Sequence, residues 1–170
     1  MNDKRAYSVF LVEDNNMFRE SLRDSLQERF GSKLKIYDYS TGEECIENID
    51  KEPDIIILDY YLNANGHPDA INGIKVLKEI KAVSKDINVI MLSGQDSLEV
   101  AIDAIKFGAH EYIAKSESAF VRIQKAVSNL METISSARKS NKYFKMNIAL
   151  AVVILTIVIV DVVMYSISYH

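Results

Sequence analysis

Four consecutive residues, Ile55, Ile56, Ile57 and Leu58, constrain this chain more than any other segment. Pro53 and Asp54 stand before them and Asp59 directly after. The run is too short for a stable helix, and its β-branched side chains suit a pleated strand. It is apolar on both faces, so it needs cover on both sides. Residues 7–12 and 87–92 repeat the pattern, 34–39 alternate like a strand, and 110–114 form a shorter run. Between these lie stretches with helical spacing. Met17, Phe18, Leu22, Leu26 and Phe30 recur through 16–30. Thr41 caps a helix expected to reach Ile49, with Glu44 completing a capping box and Pro53 ending the element. Ile74, Leu77 and Ile80 share one face of 71–83, and 97–107 close at Gly108. A last helix starts near Glu117.

Five strand–helix units in succession predict an α/β fold. Its centre is a doubly wound parallel sheet with helices on both faces. Right-handed crossovers leave few orders for the strands. In such sheets, ligands bind beyond the carboxyl ends of the strands. Those ends carry a consistent set of groups: Glu13 and Asp14 after the first strand, Asp59 after the third, Ser93 at the fourth and Lys115 after the fifth. Clustered carboxylates suit a hard cation such as Mg²⁺, which prefers oxygen ligands. Without one, they raise each other's pKa. A lysine and a hydroxyl add a fixed positive charge and a hydrogen bond. Phosphoryl transfer to a carboxylate asks for little else. One polar residue at a strand end is ordinary. Five of matching types at one edge point to a site.

The motifs VFLVEDN, IIILDYYL, VIMLSGQDS and GAHEYIAKS resemble the receiver domain of bacterial two-component response regulators, over about residues 7–130. The resemblance implies a flavodoxin-like (βα)5 sheet in the order 2-1-3-4-5. It implies Asp59 as phosphoacceptor, with Glu13, Asp14, Asp59 and the backbone carbonyl of Tyr61 around Mg²⁺. Ser93 becomes the switch hydroxyl, Tyr112 the switch aromatic and Lys115 the phosphoryl-contacting lysine. Tyr112 also suits core packing. The donor implied is a phosphohistidine on a sensor histidine kinase or a phosphotransfer protein, so His67, His110 and His170 are not needed as donors. Such a domain catalyses only its own phosphorylation and dephosphorylation. Tyr61 and Gln95 hold positions that tune hydrolysis, and a bulky Tyr61 is expected to shield the acyl phosphate.

Two departures stand out. Asn63 occupies a position where proline is common, and the matching glycine is Gly73, so the intervening loop is about six residues longer than usual, an insertion a surface loop tolerates. Ser116, not proline, follows Lys115, which leaves the setting of the lysine open.

The remainder of the chain differs in kind. All 20 Lys and Arg residues precede Ile148, and of 24 acids only Asp161 lies beyond it. Residues 148–169 read IALAVVILTIVIVDVVMYSISY. As a helix, roughly 22 residues span about 33 Å, enough to cross a hydrocarbon core. Its Ile, Leu and Val residues outweigh the cost of Asp161. Arg138, Lys139, Lys142 and Lys145 precede the span, which places the domain on the cytoplasmic side of a bacterial inner membrane. A buried oligomerisation helix is the alternative. Three segments result: a receiver at 1–131, a helical stalk at 132–147 and a transmembrane helix at 148–169. Ile134 and Ala137 extend the helical spacing beyond the receiver, so stalk or span can support a homodimer.

No DNA-binding output segment is expected in this chain. The net charge of −4, with no basic face standing out, argues against a nucleic-acid footprint. Cys45 is alone, so no internal disulfide forms, and the first residues lack the apolar stretch of a signal peptide. A phosphorylation-independent membrane scaffold and a phosphate sink are competing readings.

Overall fold

The computed structural model describes residues 5–62, 72–94 and 97–168. Five parallel strands, β1 (Tyr7–Val12), β2 (Leu34–Tyr39), β3 (Ile55–Asp59), β4 (Asn88–Ser93) and β5 (Glu111–Ala114), form one sheet in the order β2-β1-β3-β4-β5. The helices are α1 (Asn16–Phe30), α2 (Gly42–Glu47), α3 (Gly73–Val83), α4 (Leu98–Lys106) and α5 (Ala119–Ser168). This is the flavodoxin-like order expected from the sequence. The chain divides into two compact units, Met1–Met131 and Glu132–His170.

The apolar runs become the centre of the sheet. Val9 to Val12 and Ile55 to Leu58 have no exposed surface. Each such side chain contributes roughly 1.5–3 kcal/mol relative to an exposed one, and conformational entropy offsets most of the sum. One face packs Phe10, Val12, Ile56, Leu58, Val76, Leu77 and Met91 together. α5 docks through Ile123, Val127 and Leu130, all buried. Gln124 Nε2 ties it to Ser25 of α1 through the backbone oxygen at 3.1 Å and Oγ at 2.8 Å. The Tyr7 hydroxyl donates to the Met131 carbonyl at 3.0 Å.

Helix starts follow their caps. Asn15, Thr41, Asn72 and Ser97 each accept from a backbone N–H three residues on. At α2 the expected capping box is modified. The Glu44 carboxylate accepts from the backbone N–H and hydroxyl of Ser40, not from Thr41. α2 also stops at Glu47, short of the expected Ile49. Asn48 Nδ2 donates back to the Glu44 carbonyl at 2.8 Å, and a short 3₁₀ turn leads to Glu52 at a φ of 50°. Gly108 closes the turn after α4 at a φ of 97°, a conformation glycine adopts freely. The final helix begins at Ala119, two residues after the expected start.

Unit Glu132–His170 is helical through Ser168. Its described apolar side chains from Ile148 onward are about half exposed. Among the described residues, one helix is long and apolar enough to cross a membrane, with a mean hydropathy of 2.3 over its most apolar window.

Candidate functional site

The register of the sheet assembles the site. Val12 pairs with Leu58, Asp59 with Leu92, and Ser93 with Ala114. The residues that follow each strand therefore end at one edge. Backbone bonds extend that edge: Glu13 N–H to the Tyr39 carbonyl at 3.1 Å, Tyr60 N–H to Leu92 at 2.8 Å and Lys115 N–H to Ser93 at 2.8 Å.

Glu13, Asp59 and Ser93 are buried, and Asp14 is half-buried. Lys115 Nζ lies 2.7 Å from Glu13 Oε2 and 2.8 Å from Asp59 Oδ2. Glu13, Asp14 and Asp59 each bring one carboxylate oxygen within 4.8 Å of the others. The second oxygen of Asp59, Oδ1, is buried with no hydrogen-bond partner among the described residues. Three converging carboxylates and an orphaned buried oxygen are what a hard divalent cation satisfies. The donor set thus fits Mg²⁺, the ion that receiver domains bind at such an acidic pocket.

Electrostatics follow from burial. Desolvation, then the nearby Asp59 charge, pushes Glu13 up to about 7, against the opposing pull of Lys115 and the Asn15 backbone N–H. Desolvation also raises Asp59, with Asp14 adding to it and Lys115 and the Tyr61 backbone N–H opposing. For Lys115, burial alone would lower the pKa. The Asp59 and Glu13 carboxylates outweigh it, and the net shift is upward. The lysine therefore stays charged between two acids that resist sharing one dry edge.

Gly73 explains how α3 meets the acceptor strand. A Cβ there would lie 2.3 Å from the Asp59 carbonyl oxygen and 2.7 Å from Tyr60 Cα. Gly73 N–H instead donates to the Tyr60 carbonyl at 2.9 Å. The glycine singled out in the sequence is thus the residue that lets α3 approach the backbone at Asp59. Most of the loop before it, and Gln95, lie outside the described residues.

Tyr112 is half-buried and packs against the sheet core, and the Tyr61 ring meets Tyr60 edge-on at 4.6 Å. No cis peptide bond occurs among the described residues. Three neighbours escaped the sequence reading. Arg19 Nη1 donates to the Glu13 carbonyl, and its Nη2 to Asn16 Oδ1 at 2.6 Å. Asn15 N–H donates to Glu13 Oε1 at 3.2 Å. The Phe18 ring lies 4.7 Å from Lys115 Nζ. Helical periodicity marked Phe18 only as a core-facing residue, and nothing in the spacing pointed it at a lysine 97 positions away.

Comparison with known proteins agrees with this geometry. The sequence profile of the response regulator receiver domain matches residues 9–128. The transcriptional regulatory protein CssR of Bacillus subtilis is 27% identical over 79% of this chain and 57% of its own length. YesN of the same organism, an uncharacterized transcriptional regulatory protein, is 27% identical over 82% of this chain and 35% of its own. The chain thus spans between a third and three-fifths of these curated relatives. Among solved structures, the receiver domain of a LuxO-type repressor from Vibrio parahaemolyticus superposes with a TM-score of 0.67 at 24% identity, covering 79% of this chain and 96% of that one. The receiver domain of NtrX from Brucella abortus gives 0.63 at 25% identity, covering 74% and 98%. With the profile spanning most of the chain and the acidic edge in place, the chain belongs to the response regulator receiver domain family.

Proposed function

We propose that this receiver accepts a phosphoryl group on Asp59 from a phosphohistidine of a sensor histidine kinase or phosphotransfer protein. The observation that carries the reading is Asp59 itself: a buried carboxylate with one oxygen on Lys115 and the other without a hydrogen-bond partner among the described residues. In the reaction, an Asp59 carboxylate oxygen attacks phosphorus, the P–N bond breaks, and the imidazole leaves with the electron pair. An acyl phosphate forms. Glu13, Asp14, Asp59 and the Tyr61 backbone carbonyl would hold Mg²⁺, which when bound neutralises charge on the transferring phosphoryl oxygens. Lys115 supplies a second fixed charge to those oxygens. Ser93 turns its hydroxyl to the phosphoryl group, and Tyr112 follows inward as the switch aromatic.

In this reading residues 1–131 act as the receiver, 132–147 as a stalk and 148–169 as a single transmembrane helix. The basic residues before the span hold the receiver on the cytoplasmic face of a bacterial inner membrane. Output then passes through a partner protein or through pairing of stalks or spans.

The test is direct. The full chain in detergent, incubated with Mg²⁺ and acetyl phosphate, gains the mass of one acid-labile phosphoryl group. Asp59→Asn gains none. A gain that survives Asp59→Asn overturns the reading. Alkaline extraction of expressing cells tests the anchor: a chain released from the membrane pellet removes it.

A further inference from the structure

Among the described residues, Lys115 Nζ has three close contacts, and two of them are carboxylates of the proposed metal and phosphoryl site. Glu13 and Asp59 hold its Nζ at 2.7 and 2.8 Å. Both acids change partners when a cation and a phosphoryl group arrive, so neither can hold the lysine steady through the reaction. The third contact is the Phe18 ring, 4.7 Å from Nζ to centroid. That distance is within the range where a ring quadrupole attracts an ammonium, and the attraction strengthens where water is excluded. Lys115 is such a case, with 18% of its side chain exposed.

Phe18 is itself held at both ends. Its backbone N–H donates to the Asn15 cap at 3.0 Å in the first turn of α1. Its ring meets Phe120 edge-on, 5.3 Å between centroids at 77°, the T-shaped geometry aromatic pairs prefer. Phe120 lies in the first turn of α5, whose next turns are buried against the sheet. A lysine has a flexible four-carbon stem and loses much rotamer freedom when fixed. A ring clamped by two helices supplies a wall that phosphorylation does not alter.

We propose that Phe18 is a positioning residue that holds the Lys115 ammonium toward the phosphoryl group on Asp59, with Phe120 holding Phe18. It touches no reacting atom. The inference deepens the phosphoacceptor reading above and rests on it.

The experiment uses the full chain in detergent and two readouts. The first is the Lys115 side-chain proton resonance without Mg²⁺, because protons over a ring face shift upfield. The second is affinity for beryllofluoride, a phosphoryl mimic, at saturating Mg²⁺. Phe18→Leu should lose the upfield shift and bind beryllofluoride about five-fold more weakly, the factor expected from a contact of this kind. Mg²⁺ affinity should stay within about two-fold, since Phe18 contributes no oxygen ligand. Phe18→Tyr, which keeps the ring, should restore both signals. Phe18→Met, which fills similar space without a ring, should behave like Phe18→Leu and serves if that variant is unstable. Phe120→Leu should give a smaller loss in the same direction. In a Lys115→Ala background, Phe18→Leu should change nothing further. Equal loss in Phe18→Tyr, or an undiminished loss in the Lys115→Ala background, overturns the inference. So does wild-type affinity in both Phe18→Leu and Phe18→Met. Wild-type chain that binds no beryllofluoride overturns the phosphoacceptor reading instead, and the resonance of Lys115 still decides whether the ring holds the lysine.

Discussion

Residues 55–58 and 152–155 have almost the same chemistry, IIIL and VVIL. The first four have no exposed surface, and the second four are 53–60% exposed. The difference lies in what each run is attached to. The strand run lies between β1 and β4 and under helices that caps and glycines place on both faces. The helical run belongs to a segment apolar all round, and its outward surface exceeds what a water-facing helix carries. Burial in the first case is supplied by the chain. In the second it is supplied, in our reading, by lipid.

A charge separates the two runs most sharply. Ile57→Asp puts an unpaired carboxylate inside the sheet, and should cost the receiver more than about 4 kcal/mol by denaturant titration. Ile154→Asp should leave that unfolding transition unchanged and release the chain from membranes on alkaline extraction. Equal loss of receiver stability in both would erase the distinction.

The second effect belongs to the buried edge alone. Folding raises Glu13 from an ordinary value of 4.5 to about 7, so the native state binds the proton more tightly than the unfolded chain. The stabilisation is full below about pH 4.5 and is lost as pH rises through about 7. The loss is at most roughly 3 kcal/mol. Asp59 shifts in the same direction. Thermal unfolding in chelator should therefore show a midpoint falling between pH 4.5 and 7. Added Mg²⁺, which favours ionised carboxylates, should flatten that slope, and Glu13→Gln should remove most of it.

Gly73→Ala should cost about 2 kcal/mol, because its Cβ meets backbone, which cannot step aside, at 2.3 Å. It should also slow phosphorylation by acetyl phosphate, since the displaced backbone carries Asp59. The smallest effect is Asn72→Ala at the N-cap of α3, about 1 kcal/mol in chemical denaturation. Neither change should alter membrane retention.

The order of elements was legible because periodicity is a local property. Runs such as 55–58 announce strands, and their polar ends announce an edge. Element ends were less legible where side chains choose among local partners. Glu44 bonds to Ser40, and Asn48 folds back onto Glu44, so α2 ends early. Gly73 could be marked in the sequence, but its reason, contact with the Asp59 backbone, is a distance between separate elements. Phe18 was invisible as a site residue because helical spacing gives a direction inward and not the identity of what is met there.

The sequence by itself determined the parallel sheet, the five polar groups at its carboxyl edge and the segregation of charge from the last apolar stretch. Each is written in patterns of two to four residues, or in plain composition. Tertiary structure decided how those groups meet. It set Lys115 between Glu13 and Asp59, left one Asp59 oxygen without a hydrogen-bond partner among the described residues and closed the lysine's flank with Phe18. These depend on strand register and helix packing, which sum over the whole fold and are encoded in no single segment.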